Sequence, residues 1–236
     1  MKSIAQQKGG SFRFFASQRG GKQIGRTRVA SNISCSALEK FLKPFQSENA
    51  STKSQAKKLK ASLREAIKGT SRGVIDLGNN EDILAIVDSL EKLQGTVPTT
   101  ESGLDSAWKL LWTTEKETCF LLQKGIFGVG PAGESYQVID VENGSLQNII
   151  EFGKQEEKDS VFQVDSSLSV TSERRCTFKF RAAALQTPSF RIPFPPVGQG
   201  WFDTVYMDEE IRCAKDVRGD VLIVERTDLP LDTFRA

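Results

Sequence analysis

The sequence predicts a mainly β protein, an antiparallel barrel of about eight short strands, closed or nearly closed, preceded by two amphipathic α-helices. Three observations carry this. Residues 51–95 repeat apolar side chains at helical spacing, whereas the chain beyond Pro98 breaks into short β-rich segments separated by turn residues. Asn143-Gly144 stands between two of those segments and is the dipeptide a tight two-residue hairpin prefers, because both central residues need positive φ. The connections are of hairpin length, which suits antiparallel closure.

The first helix spans residues 51–69, with Leu59, Leu63, Ala66 and Ile67 on one face, Ser51 or Thr52 as N-cap and Gly69 as C-cap. Its outer face is basic. Lys57, Lys58, Lys60 and Arg64 are the candidates for contact with anionic lipid headgroups, and a solvated charged face is the alternative. The second helix starts at Asn79 or Asn80, places Glu81 and Asp82 at the positive end of its dipole, and repeats Ile83, Ile86, Val87, Leu90 and Leu93 before Gly95.

Strands are then expected at Trp108–Thr114, Cys119–Phe127, Ser135–Val141, Ser145–Phe152, Val161–Val170, Arg174–Arg181, Trp201–Asp208, Glu210–Ala214 and Val221–Arg226. The third and fourth flank Asn143-Gly144. Pro188–Gly200 holds four of the eight prolines and two glycines, so it is expected to be a long loop covering one barrel mouth.

The formal charge of +2 over 236 residues hides an asymmetry. Seven of the 32 basic residues precede Glu39, the first acid, which leaves 25 against 30 acids and a balance of −5 from there on. Residues 1–37 read as an organelle transit peptide: rich in Arg, Lys, Ser and Gly, without acids, and without the apolar core of a secretory signal. Residues 51–95 form the helical segment and 100–228 the barrel. The longest apolar run, Ile83–Val87, has five residues, far short of the ~20 that span a bilayer.

The absence of histidine excludes Ser-His-Asp and Cys-His nucleophiles, imidazole zinc sites and histidine pH switches. Cys35, Cys119, Cys176 and Cys213 are widely spaced, with no C-x-x-C, and read as structural thiols. No metal site and no cofactor is expected. Gly128–Gly133 matches G-x-G-x-x-G, but a strand follows where a phosphate cradle needs a helix, so the segment reads as a turn. Asp208 and Glu210 alternate onto one strand face but have no visible catalytic partner. An enzyme would rest only on scattered carboxylates and cysteines.

Aromatic residues gather on two segments. Even spacing puts Trp108 and Trp112 on one face, and likewise Phe202, Tyr206 and Asp208, with Trp201 and Arg212 nearby. Such side chains either fill a small barrel or line room for one small apolar ligand.

The fragments Trp108–Thr114, Gln137–Asp140, Leu146–Asn148, Tyr206–Arg212 and Arg218–Arg226 resemble the plastid lipid-associated proteins, also called plant fibrillins. The resemblance implies a lipocalin-like barrel preceded by helices, import into the chloroplast, and association with thylakoids or plastoglobules. Where a lipocalin-type G-x-W needs glycine at 106, this chain has Ser106-Ala107-Trp108, with Gly103 upstream. It also implies a non-catalytic protein that binds or organises prenyl-lipids, quinones, carotenoids or fatty-acyl lipids. Trp108, Trp112, Trp201 and Tyr206 are then the expected lining, and Asp208 with Arg212 an ion pair at the barrel end or at a polar ligand head. The rival reading is a filled barrel that acts through its surface, on the membrane or on a prenyl-lipid enzyme. No nucleic-acid partner is expected.

Overall fold

The computed structural model describes residues 35–100, 103–130, 132–153 and 160–229. The chain divides into two units, Met1–Phe45 and Gln46–Ala236. Of the first, only the start of helix α1 (Cys35–Ala66) is described, so the leader expected over residues 1–37 lies outside the described residues up to position 34. The second unit holds everything discussed below.

Helix α1 runs through Ser51 and Thr52 instead of starting there, because the residues before them are themselves helical and leave no free first turn to cap. Gly69, at φ +76°, ends the turn that follows it. Helix α2 (Asn80–Gln94) starts after Asn79 and stops at Gly95. The Asn79 side chain caps no N–H of its own helix; its amide donates to the Ala66 carbonyl at 2.5 Å and ties the end of α1 to the start of α2.

The strands are β1 (Ser106–Thr113), β2 (Ala132–Asp140), β3 (Ser145–Phe152), β4 (Ser160–Val170), β5 (Arg175–Gln186), β6 (Arg191–Phe194), β7 (Gln199–Met207), β8 (Ile211–Asp216) and β9 (Val221–Arg226). They form one antiparallel sheet in the order β4-β3-β2-β1-β9-β8-β7-β5-β6, and a further β4–β5 pairing closes it into a ring. Eight strands make the ring; β6 hangs on β5 alone.

Three expectations about strands and connections need correction. Cys119–Phe127 is not a strand: Lys116–Lys124 forms helix α3, which buries Leu122, exposes Phe120 and is stopped by Gly125 at φ +68°. A short apolar run carries both periods, and the helical one wins here. The Pro188–Gly200 segment contains β6, with Pro193 opposite Ala184; an edge strand tolerates a residue with no N–H to give. The hairpin at Asn143-Gly144 exists, but its loop has four residues, 141–144, because Asp140 pairs with Ser145. Only Gly144 takes positive φ, while the Asp140 carboxylate accepts from both the backbone N–H and the side-chain amide of Asn143.

Two β-bulges decide which side chains face the ring interior. Register shifts fall between Leu110 and Trp112 on β1 and between Thr204 and Tyr206 on β7. Each extra residue reverses the alternation beyond it. Trp108 and Trp112 therefore face opposite sides despite their even spacing, and so do Phe202 and Tyr206. The inner core holds Trp108, Leu110, Ile139, Phe152, Leu185 and Phe202. The outer core packs Leu63 of α1 and Ile83, Val87 and Leu90 of α2 on Trp112, Tyr206, Cys213 and Ile223. Among the described cysteines, Cys176 and Cys213 are buried free thiols, pushed by burial to about 11 and about 12, which keeps them protonated and unreactive.

Candidate functional site

The ring interior is mainly apolar, and a line of polar side chains crosses it. Arg212, inward-facing on β8 and wholly buried, donates to Gln137 Oε1 on β2, and Gln137 in turn donates to Asn148 Oδ1 on β3 at 3.0 Å. Between β8 and β2 in the sheet lie β9 and β1, so the guanidinium reaches across the ring. On its way it lies 5.4 Å from the Trp108 ring centre and 5.5 Å from that of Phe202. No carboxylate pairs with it among the described residues. Thr204 Oγ1 is at the 3.5 Å limit, and Arg212 Nε has no partner. Burial pulls its pKa down to about 10, which still leaves it charged at neutral pH. Ser166, on the inward face of β4 with Leu168, is also wholly buried with an unpartnered hydroxyl.

One end of the ring is shut. Leu104, just before β1, packs into the inner core, and its carbonyl accepts from Trp108 Nε1 at 3.0 Å. The Arg226 guanidinium covers Trp108 at 4.3 Å and also donates to the Gly103 and Glu209 carbonyls. Gly103, upstream of the tryptophan, thus contributes a carbonyl to this closure. The hairpins β2–β3, β4–β5 and β7–β8 all turn at this end, and the longer connections, through α3 and β6, all lie at the other.

Of the six residues read from the sequence as ligand-lining, Trp108 and Arg212 face this interior. Trp112 and Tyr206 lie on the outer side beneath the helices. Trp201 is also outward: the Arg175 guanidinium stacks on it at 3.6 Å while holding the Asp203 carboxylate with two 2.7 Å bonds. Asp208 does not pair with Arg212. Its carboxylate receives Lys60 Nζ at 2.7 Å, the Tyr206 hydroxyl at 2.8 Å and the backbone N–H groups of Glu210 and Ile211. The bulge in β7 is the reason, since it leaves Tyr206 and the strand end aimed at α1 while Arg212 points inward.

The Lys60 ammonium also meets Glu210 at 2.9 Å, and Arg64 meets Glu225 at 2.9 Å. Two of the four basic residues considered for lipid contact are thus engaged in holding α1 to the sheet, and Lys57 and Lys58 remain exposed. Burial opposes the charge of Asp208, but Lys60, the two N–H groups and Tyr206 together hold its carboxyl below the ordinary 3.8. Because the folded value is the lower one, the unfolded chain takes up the proton first as pH falls. The stabilisation is therefore full above about pH 5 and disappears as pH drops through the folded value. Asp208→Asn is expected to lower stability at pH 7 by about 1–3 kcal/mol and to flatten its acid limb, read from urea midpoints between pH 3 and 7.

Gln137 and Arg226 lie at the ends of fragments that carry the family resemblance but were given no role from the sequence, and Thr204 and Ser166 lie in no motif. Strand parity alone finds Gln137, which lies two residues from inward Ile139.

Residues 57–225 match the family model PAP_fibrillin. The chain belongs to this family. Over 175 residues it is 42% identical to the Arabidopsis thaliana protein named "Probable plastid-lipid-associated protein 11, chloroplastic", covering 72% of this chain and 80% of that one. It is 22% identical over 211 residues to the Arabidopsis "Probable plastid-lipid-associated protein 12, chloroplastic", covering 84% of this chain and half of that one. Against the Citrus unshiu "Plastid-lipid-associated protein, chloroplastic" it is 24% identical over 223 residues, 73% of this chain and 69% of the relative. No solved structure gives a significant match. The family match starts within α1 and ends one residue short of Arg226, so it takes in the last part of α1, all of α2 and the closed ring up to that final residue.

Proposed function

We propose that this PAP_fibrillin member is a non-catalytic chloroplast protein whose closed ring is a lipocalin-like barrel. It binds one apolar metabolite, a prenyl-lipid, quinone, carotenoid or fatty-acyl lipid, and works at thylakoids or plastoglobules. The observation that carries the reading is the unpaired Arg212 guanidinium, with an orphaned Nε, in an aromatic and aliphatic interior. An isolated buried cation costs several kcal/mol. A ligand that brings an apolar tail and a polar or anionic head offsets that cost and gains burial of the tail.

The test is titration of the purified protein with a plastoquinone analogue and with a long-chain fatty acid, followed by tryptophan emission. Saturable quenching is expected, because Trp108 lies beside Arg212. Arg212→Met is expected to weaken binding by about ten- to a hundredfold, the worth of a hydrogen bond to a charged group. It is also expected to leave the unfolding midpoint equal or higher, since an apolar side chain of similar size replaces a buried charge. No saturable change with any plastid lipid extract would sink the reading. That result would favour a structural or interaction protein, in which the six large side chains of the inner core fill the interior.

A further inference from the structure

We propose that the end of the ring opposite Trp108 is the face by which this protein lies on a lipid surface that carries anionic headgroups. This rests on the lipid-associated reading above and assigns the contact to a surface other than the basic face of α1.

The described residues leave ten large apolar side chains exposed, and they are unevenly placed. Phe120 and Phe127 come from the β1–β2 connection, Phe190 and Val197 from the segments flanking β6, and Val217 from the β8–β9 turn. Every one of these connections lies at the far end, because β1, β5 and β8 finish there and β2, β7 and β9 begin there. Ile75 and Leu77 follow the 3₁₀ turn Ser71–Gly73, which packs against the end of β1. The shut end and the strand turns around it expose only Val97, Val170 and Leu229. Phe127 is 71% exposed yet ordered, stacked on Phe194 at 5.7 Å, and Phe194 meets Phe162 edge-on at 5.4 Å. Exposed apolar side chains gathered at one end in this way mark an interaction site.

Charge selects the occupant. On α3, Lys116, Phe120 and Lys124 recur every four residues and so share one exposed stripe. Neither lysine, nor Arg191 at the start of β6, has an ion pair among the described residues. The acids around them are answered: Arg218 binds Glu117, Asp216 and Asp220, and the Asp76 carboxylate accepts the Gly78 N–H. Glu115, mostly buried, is raised by burial toward its neutral form. Of the other described acids at this end, Glu134 near the start of β2 meets Lys109 at 3.1 Å and Arg72 at 3.9 Å, Glu151 lies near the end of β3, and Glu81 and Asp82 start α2 on the helix-covered side. Aromatic side chains flanked by free lysines suit a membrane interface, the rings entering the acyl boundary and the ammonium groups reaching the headgroups.

The test uses the full chain with phosphatidylcholine vesicles, with and without phosphatidylglycerol, in flotation. Two added tryptophans report which end inserts: Phe127→Trp at the proposed face and Val170→Trp at the opposite end, each read against the parent with brominated lipids. Extra quenching is expected for Phe127→Trp and none for Val170→Trp. Phe120→Ser with Phe127→Ser is expected to lower the vesicle-bound fraction several-fold, and Lys116→Glu with Lys124→Glu to reduce the response to phosphatidylglycerol. Vesicle binding with equal quenching at both positions, or at neither, overturns this assignment, and a protein partner then becomes the occupant of the patch. Failure of the parent to bind any vesicle overturns the lipid-surface reading itself.

Discussion

Trp108→Ala is expected to cost about 3–5 kcal/mol of folding stability, the range for emptying a fully buried indole. The residue is 0% exposed and fills the inner core between strands. Its loss also uncovers the Arg226 guanidinium on one side, removes a contact of Arg212 on the other and leaves the Leu104 carbonyl without its indole donor. Trp112 is the natural comparison, because it is equally buried on the same strand yet its Nε1 has no partner. Trp108→Phe should therefore cost more than Trp112→Phe, by about 1 kcal/mol for the hydrogen bond that only the former breaks. Urea unfolding followed by far-ultraviolet circular dichroism gives both values. Equal costs would mean that the Leu104 bond and the arginine stacking contribute nothing to closing this end of the ring.

The second large effect is expected at Gly73. A methyl group there would lie 2.0 Å from the Thr113 carbonyl oxygen, and the residue sits at φ +97°, where side chains are strained. Both penalties fall on the join between the 3₁₀ turn and the end of β1, where Thr113 is buried and donates its hydroxyl to the Val221 carbonyl. Gly73→Ala is expected to destabilise by about 3 kcal/mol or more, since backbone must shift to relieve the contact. Gly78→Ala serves as its control. Gly78 also has positive φ, +77°, but nothing lies within 4 Å of the added carbon, so the cost should stay near about 1 kcal/mol. A similar midpoint for the two variants would show that the turn yields to the methyl group.

The fold class was readable because it depends on period and on turn residues, both local. Ile83, Val87 and Leu90 of α2 follow the helical repeat that places them in the outer core. The β7–β8 and β8–β9 turns fall where the sequence breaks its strands. What stayed hidden depends on single-residue slips. Leu111 and Val205 look like ordinary strand residues, yet each sits in a bulge that reverses every later side chain. Trp112 and Tyr206 therefore belong to the helix interface, and the pair expected between Asp208 and Arg212 splits across the sheet. No local feature of the sequence marks a bulge when neither glycine nor proline makes it. Lys60 illustrates the complementary difficulty: its partners Asp208 and Glu210 lie about 150 positions away, so its commitment to an ion pair cannot be seen from helix periodicity.

The seam between β1 and β9 has a consequence in time. These two strands are the first and the last of the sheet, and Trp108 pairs with Arg226 across them. A chain that emerges or is delivered N-terminus first can form its successive hairpins early, since each is local, but it cannot shut the ring until its final strand arrives. Until then β1 and β8 each present an unpaired edge, the state in which strands join other chains. Arg226, seated on Trp108 from the last residue of the last strand, makes the finish of that process and the sealing of the ring's shut end the same event.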